Sequence, residues 1–199
     1  GAGSDCDDML LVTVGTGVGG GCIVDDHLLR GAFGIGGEIG HVTLDPDGPR
    51  CGCGNHGCLE VFASGTALER AARELASTTS SRAEALRERC GGDVEALSGR
   101  DVTDLAREGD VASIELLDDL GTHLGRGLAS ICAVLDPGRI VIGGGVADAG
   151  ELLVGPTRTA FAAHLIGRGH RPSPDLVQAT LGNDAGIVGA ATLAREAQA

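Results

Sequence analysis

The segment MLLVTVGTGVGGGCIV, residues 9–24, decides how the chain is read. Met9 to Val14 is apolar and rich in β-branched residues, Gly15-Thr16-Gly17 interrupts it, and Gly19 to Val24 resumes a strand-like run. The pair reads as a β-hairpin with a turn built from glycine. Closely spaced glycines also let backbone N–H groups approach a ligand without a Cβ in the way, and a row of such groups cradles an anion. Two readings therefore stand for Thr16, Gly17, Gly19, Gly20 and Gly21: a phosphate-binding hairpin, or a tight turn in which glycine serves geometry alone. The segment is not a Walker A loop, because no Gly-Lys-Ser/Thr follows. Nor is it a convincing dinucleotide fingerprint, because a strand rather than a helix comes next.

Outward from the hairpin, Asp25-Asp26 makes a turn, His27 to Arg30 a third short strand, Gly31 to Gly37 a loop, and Gly40 to Leu44 another strand. Ser64 caps a helix with Leu68, Ala71, Ala72 and Leu75 on one face. Residues 82–109 read as helical with breaks at Gly91-Gly92 and Gly99, and Asp101 as the cap of a short helix carrying Val102, Leu105 and Ala106. The most regular pattern runs from Val111 to Val134, with three-and-four apolar spacing, and stops at Asp136-Pro137-Gly138. Arg139 to Ile142 is a short buried strand, and Gly143-Gly144-Gly145 turns directly into a helix near residues 148–163. Those three glycines either offer free helix N–H groups to a nucleotide or simply make a close strand-to-helix turn. Leu176 to Leu181 is a strand and Ala185 to Ala197 a terminal helix. Early strands followed by alternating helix and strand predict a mixed α/β layered domain.

Composition removes several function classes. The chain has 199 residues and 15 basic side chains, every one Arg, so the phosphate lysine of Walker loops, the strand lysine of protein kinases and Schiff-base chemistry are all unavailable. A formal charge of −13, no Trp or Tyr and three Phe argue against a nucleic-acid surface. There is no signal peptide and no apolar run of about 18 residues, which makes a cytoplasmic location the expectation. The chain begins at Gly1 and enters a strand within ten positions, so it is expected to be cut from something longer.

Three of the seven cysteines are packed into CGCGNHGC, residues 51–58. Together with His41 they place three thiolates and an imidazole within eighteen residues, a donor set suited to Zn²⁺. Four protein ligands fill a tetrahedron and leave no place for water, so the site reads as structural; His56 is a rival fourth ligand. Glu38 and Glu60 bracket this loop. A carboxylate accepts hydrogen bonds from sugar hydroxyls through both oxygens, so the two are either polyol ligands anchored by a rigid loop or solvated surface acids. Cys22 and Cys132 read as small core residues, and Cys6 and Cys90 as loop residues without partners.

GTGVGGG at 15–21, GGEIGH at 36–41, CGCGNHGCLE at 51–60 and LDPGRIVIGGG at 135–145, in that order, resemble the ROK family of sugar kinases and sugar-responsive repressors, most of all its bacterial glucokinases. The resemblance implies an actin-like ATPase (ribonuclease H-like) fold of two lobes, with nucleotide and sugar bound in the cleft between them. It makes residues 1–184 a C-terminal lobe and 185–199 a helix returning toward an N-terminal lobe. Glu38, His41 and Glu60 would bind the sugar, and His41, Cys51, Cys53 and Cys58 a structural Zn²⁺. Thr16, Gly17 and Gly19 to Gly21 would hold ATP phosphates with Mg²⁺, and Gly143 to Gly145 the adenosine.

The family's first phosphate motif and its catalytic aspartate, which sits in an Asn-Asp-Ala setting before the hairpin, are not among these residues. Asn183-Asp184-Ala185 has the same letters but lies near the C-terminus and reads as coincidence; Asp5, Asp7 and Asp8 lack the setting. The catalytic aspartate is thus expected upstream of residue 1, and the fragment alone is expected to be inactive. The alternatives within the resemblance are a sugar-responsive repressor, or a kinase for fructose, mannose or an N-acetyl-hexosamine such as N-acetylmannosamine. Homo-oligomerisation is implied by the family alone.

Overall fold

In the computed structural model, which describes residues 1–196, the hairpin is the centre of the sheet. β1 (Met9–Val14) turns Leu10, Val12 and Val14 into the core by period-two alternation, and β2 (Val18–Val24) pairs with it antiparallel from Met9↔Ile23 to Val14↔Val18. Asp25 and Asp26, at φ 50° and 60°, make the tight turn into β3 (His27–Leu28), two residues rather than the four anticipated. The predicted strand at 40–44 is absent. Ile39–His41 is instead a 3₁₀ turn, and only Thr43 makes a bridge, to Cys58.

A short α1 (Glu60–Ala63) leads into α2 (Gly65–Ala76), whose N-terminus is capped as expected: Ser64 Oγ accepts from the Ala67 N–H at 3.2 Å. α3 (Glu84–Cys90) ends on Gly91 at φ 60°. In α4 (Gly99–Glu108) the anticipated roles shift by one turn, because Gly99 opens the helix rather than breaking it. Ser98 is the cap and Asp101 its reciprocal partner three residues on, a capping box in which each side chain binds the other's backbone N–H. α5 (Val111–Leu135) matches its apolar pattern and stops at Asp136, which takes a left-handed conformation.

β4 (Arg139–Gly143) lies parallel to β1 on the side away from β2. A 3₁₀ turn, Gly145–Ala149, precedes α6 (Glu151–His164), so the glycines do not feed the helix directly. β5 (Asp175–Gln178) adds parallel to β4, shorter than the predicted 176–181. A last 3₁₀ turn, Gly182–Asp184, leads into α7 (Ala185–Glu196); residue 197, the predicted end of that helix, lies outside the described residues.

The sheet order is therefore β3-β2-β1-β4-β5, three antiparallel strands followed by two parallel ones. Leu10, Val12, Ile140 and Ile142 meet Leu117, Leu124, Leu128 and Leu153 in one core. α5 packs most extensively on α6, backbone to backbone: a Cβ at Gly121 would lie 2.9 Å from Leu153 O, and one at Gly125 would lie 2.8 Å from Phe161 N. Because β1 and β4 run parallel, the hairpin turn after β1 and the glycines after β4 emerge at one end of the sheet, the end at which open α/β sheets bind ligands. Among the described residues no helix is long and apolar enough to cross a membrane.

Candidate functional site

Two constellations share that end of the sheet. The first is built from the long excursion between β3 and α1. Its loop is pinned by backbone bonds, Leu44 N–H to Gly57 O at 2.7 Å, Cys51 N–H to Asn55 O at 2.8 Å and Leu59 N–H to Val42 O at 2.8 Å. A Cβ at Gly57 would overlap the Asp45 carbonyl, and its φ of 60° is in the left-handed region, so glycine there closes the loop. His41, Cys51, Cys53 and Cys58 come together, their ligand atoms all within 4.8 Å of one another. His56 is not in the cluster; its Nδ1 lies 3.1 Å from Gly48 O.

The geometry suits zinc. A tetrahedral ion with Zn–S about 2.3 Å and Zn–N about 2.05 Å requires S···S edges of about 3.8 Å and S···N edges of about 3.6 Å. Cys53 Sγ lies 3.6 Å from Cys58 Sγ, and Cys51 Sγ 3.6 Å from His41 Nδ1. Burial, together with the neighbouring thiols, pushes the Cys58 thiol up to about 12, so three thiolates here call for a cation among them. Cys53, exposed and bonded to the Asn55 backbone, is shifted the other way. Cys22 and Cys132 are buried apart from the cluster and their thiols are pushed up by desolvation, Cys132 to about 11.

His41 faces the sulfurs with Nδ1 and presents Nε2 on the opposite side, 3.8 Å from Glu38 Oε2. A metal held at Nδ1 would leave the ring proton on Nε2, fixing the tautomer and aiming a donor outward. Glu60, the first residue of α1, places Oε1 3.8 Å from Cys51 Sγ, and its Oε2 accepts the Val18 N–H at 3.1 Å. Glu38 is thus tied to the cluster through the His41 ring, and Glu60 through Cys51 and the hairpin.

The second constellation is an open cleft of about 910 Å³ on the neighbouring flank, bounded by Gly15 and Thr16 of the hairpin, the N-termini of α2 and α4, and Gly145. The hairpin turn and α2 are tied together: the Gly65 N–H donates to Gly15 O at 2.7 Å and Thr66 Oγ1 to Thr16 O at 2.7 Å. The lining carries both signs of charge, Arg100 and Arg107 together with Glu69 and Asp148, and Arg107 is itself paired with Asp104 at 3.0 Å.

The glycines singled out in the sequence have separate places. Gly19 to Gly21 are ladder residues of β2, opposite Thr13, Val12 and Leu11. Gly143 ends β4. A Cβ on Gly144, at φ 92°, would lie 2.5 Å from Val14 O, and Gly145 alone of the three lines the cleft. Thr66, Ser98, Arg100, Thr103, Arg107 and Gln178 line it without having been picked out from sequence. The Ser98-x-x-Asp101 capping box was the available signal for the α4 end.

A 3-2-1-4-5 sheet with a glycine hairpin, an open cleft and a histidine–cysteine loop at one end defines a chain of the actin-like ATPase class, with a ligand cluster typical of the ROK zinc motif. The comparisons agree. The ROK family profile matches residues 1–197. A glucokinase of Streptomyces coelicolor is 41% identical over 196 residues, 98% of this chain and 62% of the relative. The crystal structure of a ROK family glucokinase from Streptomyces griseus in complex with glucose and AMPPNP superposes with a TM-score of 0.91 at 43% identity, over 98% of this chain and 63% of that one. A ROK family transcriptional regulator, a homologue of the Escherichia coli MLC protein, superposes at 0.73 with 30% identity, over 89% of this chain and 43% of that one. The chain belongs to the ROK family. It spans about 62% of the length of the first of these relatives.

Proposed function

We propose that this chain is the C-terminal, sugar- and zinc-holding lobe of a glucokinase that transfers the γ-phosphoryl group of ATP to the 6-hydroxyl of glucose. The observation that carries the reading is the joint placement of Glu38, His41 and Glu60 over a four-ligand metal cluster, beside a cleft suited to a nucleotide. The likeness to the glucose- and AMPPNP-bound relative, at a TM-score of 0.91, favours glucose and ATP over other pairs.

In this reading Glu38 and Glu60 accept hydrogen bonds from sugar hydroxyls and His41 Nε2–H donates one, fixing the ring so that its 6-hydroxyl faces the hairpin. His41, Cys51, Cys53 and Cys58 would hold zinc, which would keep the His41 ring and the 51–58 loop in place. Thr16 at the hairpin tip lies along the phosphate chain of ATP and Gly145 beside its adenosine, whereas Gly17, the β2 glycines, Gly143 and Gly144 do not line the cleft and shape the sheet and hairpin around it. Mg²⁺ entering with ATP offsets charge on the transferred phosphoryl group. The 6-hydroxyl oxygen bonds to the γ-phosphorus as the bond to ADP breaks, and the hydroxyl proton passes to a carboxylate outside residues 1–199. α7, whose Ile187, Val188 and Leu193 are exposed, lies against the other lobe. A cytoplasmic homo-oligomer completes the proposal.

The likeness to the transcriptional regulator favours a second reading, in which the same sugar site signals and transfers nothing. Incubating the full-length protein with ATP and separately with glucose, fructose, mannose and N-acetylmannosamine tests both. Glucose 6-phosphate as the main product is expected. A different preferred sugar corrects the substrate, and sugar binding without transfer selects the regulator. Residues 1–199 alone are expected to show essentially no turnover.

A further inference from the structure

We infer that Gly17 is a positioning residue for the sugar carboxylate Glu60, so that the hairpin tip serves the sugar as well as the nucleotide. This rests on the reading of Glu60 as a sugar ligand given above. Gly17 is outside the left-handed region of backbone space, so the turn itself admits any L residue there. What excludes a side chain is Glu60. A Cβ on Gly17 would collide with Glu60 Oε2 and lie 3.1 Å from Glu60 Cδ, and the three nearest atoms to it all belong to that one side chain.

The next residue holds the carboxylate from the same side, the Val18 N–H donating to Oε2 at 3.1 Å. Gly17 therefore makes the gap and Val18 the anchor, which leaves Oε1 on the side of Cys51 and the zinc ligands. The segment bearing Glu38 rests on the same hairpin one step further along. A Cβ on Gly20 would lie 2.7 Å from Gly37 O and 2.6 Å from Ile39 Cγ1. Gly15 and Thr16, by contrast, line the nucleotide cleft. The hairpin is a partition with phosphates on one side and the seats of both sugar carboxylates on the other.

A methyl group at Gly17 meets only the free end of a flexible side chain, so the Gly17→Ala protein is expected to fold, with Glu60 displaced. Losing a well-placed charged acceptor weakens binding by about tenfold or more. In the full-length protein, Gly17→Ala is expected to raise KM for glucose about tenfold and leave KM for ATP within about twofold. Calorimetry without nucleotide should give the same loss in hexose affinity. Because Gly17 acts through Glu60, Gly17→Ala/Glu60→Gln should bind sugar no worse than Glu60→Gln alone. A rise in KM for ATP with glucose unaffected, or losses that multiply in the double variant, would overturn the inference. A wild-type protein that binds no hexose would instead sink the sugar-site reading. In that event a crystal structure of Gly17→Ala still decides the positioning claim: Glu60 Oε2 remaining on the Val18 N–H refutes it.

Discussion

Cys53→Ser is the most informative single change in the zinc loop. Cys53 is exposed, whereas Cys51 and Cys58 are buried, so exchanging its sulfur for oxygen opens no cavity and any loss belongs to the metal. Changes to groups that merely orient zinc ligands weaken metal affinity by about 10- to 100-fold, so loss of a ligand atom is set here at no less than about 100-fold. With zinc in excess of both dissociation constants, the stability lost is RT ln of that ratio, about 2.7 kcal/mol. For a chain of this size that is a fall in Tm of roughly 5–11 °C. The assay is thermal unfolding with and without a chelator, alongside elemental analysis. The wild type is expected to hold about one zinc per chain and to lose Tm on chelation; the variant should start lower and lose correspondingly less. Equal Tm values for both proteins in zinc, or a wild type free of metal and indifferent to chelator, would refute the argument. Hexose affinity should fall with the metal, because His41 Nε2 is aimed by what Nδ1 binds.

Ser98→Ala removes the α4 cap and is expected to cost about 1 kcal/mol, read as a Tm fall of about 2–4 °C. The Ser98 hydroxyl, 2.6 Å from Asp101 Oδ2, is the main reason the Asp101 carboxyl sits below its ordinary 3.8. A depressed carboxyl stabilises the fold above its unfolded pKa and loses that contribution as pH falls through the folded value. The Tm gap between wild type and variant should therefore start to narrow as pH falls below about 3.8, and a gap that stays constant in acid would contradict the Ser98–Asp101 carboxylate bond. Gly125→Ala wedges a methyl between α5 and α6 and should destabilise by about 1–3 kcal/mol in denaturant unfolding, against under about 0.5 for the exposed Val134→Ala. Thr66→Val cuts the tie from α2 to Thr16 O and should raise KM for ATP more than KM for glucose in the full-length protein.

The parts of the fold legible in sequence were those specified by neighbours along the chain. The β1–β2 hairpin, the Ser64 cap and the face of α5 each follow from local alternation, a hydroxyl before a helix, or three-and-four spacing. The misread strand at 40–44 has β-branched residues at Val42 and Thr43. Its conformation is set from outside, because a Cβ at Gly40 would overlap the Val18 carbonyl and the turn Ile39–His41 is folded against the hairpin. The metal ligands were readable because three of the four lie within eight residues. The α4 side of the cleft was not, since Ser98 and Arg100 come to line it together with Thr66 only through the packing of α4 on α2. Gly17 was noticed for its letter and assigned to phosphate, while its steric reason lies forty-three positions away in Glu60.

Between β3 and α1 the chain runs from Leu29 to Leu59, yet buries only Ile39, Gly40, Cys51, Gly57, Cys58 and Leu59. Everything proposed to touch the sugar before Glu60 is carried on this excursion, held by backbone bonds and a metal rather than by the core. Such a segment can exchange the exposed Glu38 at little expense to folding, while Ile39 and Gly40 beside it keep the turn seated on the hairpin. The sheet and α5, which would have to be repacked to alter a site built on them, are left out of the negotiation. On the roles proposed above, new sugar preferences can arise by drift in a surface loop while the cleft proposed for the nucleotide is inherited unchanged.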